Sequence, residues 1–171
     1  LQGNLSHFAS GVMMLLFRPI AIGDVVEVSG KVGKVEEIGL FATTLITPDA
    51  TKIIIANGSV TGGPITNYTA LGMPRAAVRV IVAAGNDIGK VREVLEAGAA
   101  SVGMVLKDPA PLAVFAVCEP NQLTFDVLVH SKPDDFIPMQ PEVRRAVYEH
   151  LAKANIALPI PGIVVHQPKA A

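Results

Sequence analysis

Leu1-Gln2-Gly3-Asn4-Leu5-Ser6-His7-Phe8-Ala9-Ser10-Gly11-Val12-Met13-Met14-Leu15-Leu16-Phe17-Arg18-Pro19-Ile20-Ala21-Ile22-Gly23-Asp24 is the stretch on which the reading of this chain turns. At about 100° per residue, a helix over 1–17 gathers Leu1, Leu5, Phe8, Ala9, Val12, Leu15 and Leu16 on one continuous apolar face. Gln2, Gly3, Asn4, Ser6, His7, Ser10 and Gly11 fall on the other side, which is polar but uncharged; the first formal charge is Arg18. A surface helix facing water normally carries Lys and Glu there, so both sides of this helix are expected to have close neighbours. Gly3, Ser6, Ser10 and Gly11 are small enough to let another backbone approach. Arg18-Pro19 ends the helix, because the residue before a proline is pushed out of the helical region.

Beyond Pro19 the period changes. Short β-rich runs at 25–28, 31–38, 40–47 and 52–56 alternate with turn residues at Ser29-Gly30, Gly39 and Pro48-Asp49, the pattern of a small, strongly bent sheet or barrel. Asn57-Gly58 reads as a tight turn, since both residues tolerate positive φ. Lys34, Glu36 and Glu37 read as a solvated strand edge that discourages further pairing. Gly62-Gly63-Pro64 interrupts, and residues 70–74 read as a linker.

From Arg75 the expected order is strand, helix, strand, strand, helix, strand. Asp87 is placed to cap a helix carrying Ile88, Val91, Leu95 and Val102 on one face. Residues 112–118 and 123–129 are two strands joined through Glu119-Pro120-Asn121-Gln122. Pro141 suits the first position of a second helix with Val143, Val147, Leu151 and Ala154 as its stripe. Asn155 can end that helix in a left-handed cap, and Ile163-Val164-Val165 is the last strand. This βαββαβ order is the split-βαβ, ferredoxin-like arrangement.

Composition narrows the function. The 171 residues suffice for one good domain or two small ones; 50% are hydrophobic but only 5% aromatic, so the core is aliphatic. A net charge of −1 argues against a nucleic-acid binder, which needs a basic stripe to neutralise phosphates. One cysteine excludes an internal disulfide and a four-cysteine zinc site, and Cys118, in the apolar run 112–118, reads as a buried strand thiol. No run reaches the roughly 20 apolar residues that span a bilayer as a helix. Catalytic templates fail. Gly30-Lys31-Val32-Gly33-Lys34 lacks phosphate-loop spacing, there is no nucleophile elbow, and Asp134-Asp135 are adjacent and point apart, so capping or solvation near Pro133 is their reading. His7, His130, His150 and His166 are scattered without ligand spacing. No catalytic, cofactor-binding or metal residue is expected, and the chain is not read as an enzyme.

The run Leu1-Gln2-Gly3…Gly11…Phe17-Arg18-Pro19-Ile20…Gly23-Asp24 resembles the signature of the small-conductance mechanosensitive channel family (MscS-like), and the resemblance continues through Asn57-Gly58 to Leu158-Pro159-Ile160-Pro161. It implies an α+β chain: residues 1–18 as the lower half of a pore-lining helix, 19–70 as a small Sm-like β domain, and 71–171 as a ferredoxin-like α/β cage domain. The family's membrane helices would then lie upstream of Leu1. Similar proteins form homo-oligomeric rings, usually of seven, in the bacterial inner membrane, with this segment mostly on the cytoplasmic side. They open under tension after osmotic downshock and pass ions and small solutes. Their partners are therefore the lipid bilayer and permeating ions, with no nucleic acid and no cofactor.

By the same resemblance Gly3 marks the break between upper and lower pore helix, and Gly11 a second bending site. His7 stands where relatives often carry Asn, a position that influences inactivation. Because histidine changes charge in mildly acidic water, His7 is expected to make gating pH-sensitive. Phe17 and Arg18 are expected to anchor the helix at the membrane interface, and Phe41 to pack between the β domain and membrane segments. Where most relatives carry Pro-Asn-Gly, this chain has Ala56-Asn57-Gly58. Two other readings stay open: a soluble Sm-like ring binding RNA, which lacks the basic and aromatic platform for stacking bases, and a soluble regulatory or small-molecule-sensing ring module, which leaves the uncharged helix unexplained.

Overall fold

The protein is described by a computed structural model over residues 2–160, with side-chain surroundings from residue 5 onward. Among the described residues, contacts gather into two units, one of residues 2–76 with 130–140, the other of residues 77–129 with 141–160.

The first unit begins with α1 (Gln2–Phe17), followed by β1 (Val25–Val28), β2 (Lys31–Ile38), β3 (Ala42–Ile46), β4 (Lys52–Ala56), a short helix α2 (Asn57–Thr61) and β5 (Thr66–Asn67). The strands form one antiparallel sheet in the order β4-β3-β2-β1-β5. Val28 pairs with Lys31 across Ser29-Gly30, both at positive φ, so the turn signal read from the sequence is a two-residue hairpin loop. Met14, Ile20, Val26, Val28, Val35, Leu45 and Val60 make the buried core, aliphatic as the composition requires. α1 ends as expected: the Arg18 N–H donates to the Met14 carbonyl at 2.9 Å, and Arg18 turns to φ 46° before Pro19.

Several expectations are corrected in this unit. Of the two sides of α1, both expected to have close neighbours, the apolar one has little cover within this chain: Leu5 and Leu16 are 68% and 72% exposed, and Phe8 and Leu15 are exposed too. The small side carries the contact, with Gly11 and Met14 buried. Asn57-Gly58 is not a turn. Both residues open α2 with negative φ, because Asn57 is fully buried and its side chain is spent on Thr43 of β3 and the Gly39 carbonyl in the loop after β2. Nor is β2 an edge. It is the central strand, and two of its charges are in ion pairs, Lys34 with Asp134 at 2.9 Å and Glu36 with Lys52 at 3.3 Å. Asp134 is accordingly not simply solvated.

The segment 130–140 belongs to this unit through that ion pair, through the Ser131 N–H donated to the Pro74 carbonyl, and through Phe136 stacked on Tyr68 at 5.6 Å. Glu27 accepts the Tyr68 hydroxyl proton at 2.7 Å and holds the phenol above its ordinary pKa.

The second unit draws on β6 (Arg75–Ala83), α3 (Ile88–Ala100), β7 (Leu112–Glu119), β8 (Gln122–His130) and α4 (Phe136–Lys153). Its sheet order is β6-β8-β7, so β8 inserts between the two strands that α3 connects. Asp87 caps α3 by accepting the Lys90 N–H at 2.7 Å, and Asn155 ends α4 at φ 53°. Val91 and Leu95 are buried on α3, and Val143, Val147 and Leu151 on α4. A Cβ on Gly98 would come within 3.1 Å of the Val147 Cα, so the two helices touch at that glycine. Pro141 is not at the first position of α4. The 3-10 turn Pro133–Asp135 runs into the helix, and Pro141 sits inside it at the cost of one amide donor. Cys118 is exposed rather than buried, because β7 is an edge strand with a register shift between Phe115 and Val117. The strand expected at 163–165 lies outside the described residues.

Candidate functional site

The site is the seam where α1 meets the β domain. β3 and β4 bring the segment 39–41 and the start of α2 up to the helix, and every element involved lies in the first unit. Asn57 organises the seam from below. Its Nδ2 donates to the Gly39 carbonyl and its Oδ1 accepts the Thr43 hydroxyl, both at 2.9 Å, while its backbone N–H donates to the Phe41 carbonyl. A buried amide with these partners costs little to desolvate and fixes the loop in one place.

Gly11 is the closest approach of the helix. A Cβ there would stand 2.1 Å from the Leu40 carbonyl oxygen and 2.6 Å from Asn57 Nδ2, so only glycine fits. One turn earlier, His7 Nδ1 accepts the Gly58 backbone N–H at 3.2 Å, which places the proton of a neutral imidazole on Nε2. Gly58 is again a contact glycine, since a Cβ would lie 2.5 Å from that nitrogen. The Thr61 hydroxyl donates to Ser10 Oγ at 3.0 Å, and Phe8 lies against Phe41 with ring centroids 5.9 Å apart. Met14 closes the seam with its side chain 1% exposed in the core.

The helix exit is fixed separately. Asp24 accepts the Ala21 N–H at 2.8 Å and the Asn67 side-chain amide at 2.7 Å on one oxygen, and the Thr69 hydroxyl at 3.2 Å on the other. The carboxylate thereby ties the loop after α1 to the strand β5 at the opposite edge of the sheet.

Of the residues singled out from sequence, the structure brings His7, Gly11, Asn57 and Gly58 into one seam, with Phe41 joining through Phe8. Phe17 and Arg18 stand at the exposed C-terminal end of α1, outside it. Gly3 lies in α1, but its surroundings fall outside the described residues. Sequence reasoning missed Asn57 as a buried hub, Ser10 and Thr61 as a pair, and Asp24 as an exit clamp. The only signals were a short polar side chain or hydroxyl at each place, which any loop shares.

Among the described residues there is no group of three His, Cys, Asp or Glu placed to hold a metal ion, and no helix long and apolar enough to cross a membrane. The arrangement is a docking surface for a helix, with no nucleophile or acid–base pair in it.

Residues 3–70 match the family model described as mechanosensitive ion channel, beta-domain, and residues 76–158 match the one described as mechanosensitive ion channel MscS, C-terminal. The small-conductance mechanosensitive channel of Edwardsiella ictaluri is 34% identical over 166 residues, 97% of this chain and 58% of that protein. The mechanosensitive channel MscK of Escherichia coli is 30% identical over 131 residues, 76% of this chain and 12% of that protein. In fold, the chain is similar to Helicobacter pylori MscS in a closed-state crystal structure, with TM-score 0.81, 23% identity, and coverage of 99% of this chain and 68% of that one. The chain thus spans little more than half the length of the first of these relatives. The first family model lies within the first unit, and the second spans the described part of the second unit up to residue 158 together with the segment 130–140 of the first. The chain belongs to the MscS family of mechanosensitive ion channels, a family of channels and not of enzymes.

Proposed function

We propose that the chain is the lower pore helix and cytoplasmic cage of a tension-gated channel that releases ions and small solutes on osmotic downshock. The observation that carries this reading is the inverted packing of α1. Its glycine and hydroxyl side is docked on its own β domain, while Leu5, Phe8, Leu15, Leu16 and Phe17 stand exposed along a helix without a single charge. Such an apolar strip needs a cover. Neighbouring copies of the same helix around a pore, and lipid near Phe17 and Arg18, provide one.

In this reading the five-stranded sheet is an Sm-like domain, the second unit is ferredoxin-like, and the copies close into a homoheptameric ring under the bacterial inner membrane with the cage in the cytoplasm. Tension favours the conformer of larger in-plane area, so opening is a population shift between two packings of α1. Gly3 and Gly11 are the sites at which the helix bends or parts from its domain, His7 tunes the docked state, and Phe41 packs against Phe8 between the β domain and the membrane segments. Ion preference follows from the charges that line the cage openings.

The test is a patch-clamp recording of the full-length parent protein in a membrane free of other mechanosensitive channels. Reproducible conductance steps under suction are expected. Silence, with the protein shown to be present in the patch membrane, overturns the reading.

A further inference from the structure

Among the described residues Leu71 is the most exposed large apolar side chain, at 95%, and Met73, two residues on, is 47% exposed. The loop that carries them is held in shape. Asn67 Oδ1 accepts the Thr69 and Ala70 N–H groups at 3.1 and 3.0 Å. The Gly72 N–H donates to the Thr69 carbonyl at 2.9 Å and Gly72 takes φ 76°, which makes a tight turn with Ala70 and Leu71 at its apex. Both ends of the loop are tied down: the Asn67 amide donates to Asp24 at 2.7 Å, and the Pro74 carbonyl accepts the Ser131 N–H at 3.2 Å. An apolar tip fixed in this way loses little further conformational freedom when it is buried.

The same unit holds a hollow of complementary kind. A groove of about 620 Å³ opens between β2, the end of β3 and the start of α4. Ile22, Val35, Ile46, Pro48, Ile137 and Pro138 are its apolar walls, and the Lys34–Asp134 ion pair borders it. Leu71 stands almost wholly in water, so it does not fill the groove of its own chain. In the sheet order its neighbour β5 is two places from β2 and three from β3, about 10–15 Å at 4.8 Å per place. Charge agrees with shape. Arg75, two residues beyond Met73, is exposed and in no ion pair among the described residues. The groove is lined by two carboxylates, Glu36 and Asp134, against the single ammonium of Lys34.

We propose that the Leu71–Met73 tip of one copy docks in this groove of the next copy, with Arg75 at its acidic rim, so that the chains join head to tail. A tip and a groove on different parts of one subunit make a heterologous contact, which repeats about an axis and closes into a ring. An apolar centre inside a charged rim is the usual anatomy of such a contact. The inference rests on the reading of the chain as one subunit of a ring and adds to it the surfaces by which neighbours meet. Burying the Leu71 side chain strengthens each contact by roughly ten- to hundredfold.

The experiment pairs Leu71→Cys with Ile137→Cys in the full-length parent protein, otherwise free of cysteine through Cys118→Ser, and follows oxidative cross-linking in the membrane on denaturing gels. A ladder of multimers is expected from the double variant and none from either single one, since each bond needs one tip and one groove. Dimers from Leu71→Cys alone mean that two tips meet across a two-fold axis, and they overturn the proposal. In parallel, Leu71→Asp is compared with the wild type by native mass spectrometry over a dilution series. Its oligomer should come apart at a concentration at least roughly tenfold higher, with an unchanged far-ultraviolet circular dichroism spectrum, because the side chain touches little of its own subunit. An intact ring without a ladder, or a Leu71→Asp oligomer as stable as the wild type, gives the groove to another segment and overturns the docking while the channel reading stands. A wild-type protein that is monomeric in the membrane overturns both.

Discussion

Replacing Gly11 by alanine is the sharpest perturbation of the seam. The added carbon starts 2.1 Å from the Leu40 carbonyl oxygen and 2.6 Å from Asn57 Nδ2. A carbon rests against an oxygen at about 3.3 Å, so helix and loop must part by roughly 1.2 Å. The Leu40 oxygen belongs to the backbone, and the Asn57 amide is held by Gly39 and Thr43, so neither gives way like the end of a flexible side chain. Overpacking of this kind costs about 1–3 kcal/mol, and weakening one Asn57 hydrogen bond adds roughly 1 kcal/mol. Alanine returns at most about 1 kcal/mol through helix propensity. The net expectation is a loss of about 1–3 kcal/mol of docking. A hinge that depended on backbone freedom alone would respond differently, since alanine would stiffen the helix and leave docking intact. The assay is a graded series in the full-length protein, Gly11→Ala, Gly11→Ser and Gly11→Val, read by thermal unfolding and by current decay under sustained suction. Stability should fall and decay should change progressively with side-chain volume. A Gly11→Ala protein as stable as the wild type or more so, with unchanged kinetics, refutes the packing argument.

Other consequences are open to direct measurement. Asn57→Ala leaves the Gly39 carbonyl and the Thr43 hydroxyl without their partner and should cost about 2–4 kcal/mol, seen as a lower denaturant midpoint at unchanged slope. Met14→Ala removes a core side chain that joins α1 to the sheet; a loss of about 2–5 kcal/mol is expected, while Leu16→Ala on the exposed face should leave the stability of the isolated subunit's fold within about 0.5 kcal/mol. Hydrogen bonding from Lys34 holds the Asp134 carboxyl below the usual carboxylate pKa. Its folded-state pKa being depressed, the pair helps at pH above the ordinary carboxylate range, and that help is lost as pH falls through the depressed value. A carbon-13 titration of Asp134 should therefore show a midpoint below 3.8 that rises in Lys34→Met, and an unmoved midpoint contradicts the bond.

Much of the architecture was legible in the residues because it rests on local rules. Arg18-Pro19 had to stop α1, Ser29-Gly30 had to turn β1 into β2, Asp87 had to cap α3, and Asn155 had to take the left-handed end of α4, each through its own φ, ψ or side-chain reach. Tertiary structure alone decided what covers each surface. Periodicity places Leu5, Phe8, Leu15 and Leu16 on one face of α1, but it does not say whether that face or the glycine face meets the domain; the choice went to the side of Gly11, where the helix closes on the Leu40 backbone, and of Met14, whose side chain enters the core. Likewise Asn57-Gly58 has the local preference of a turn and becomes a helix start, since burying the Asn57 amide between Gly39 and Thr43 satisfies it better than a turn in solvent. The exposure of Cys118 and the central place of β2 follow from strand order, which no short window of sequence contains. His7 marks the same boundary: the sequence supplies a titratable ring on a helix, and only the fold sets a backbone amide 3.2 Å from its Nδ1.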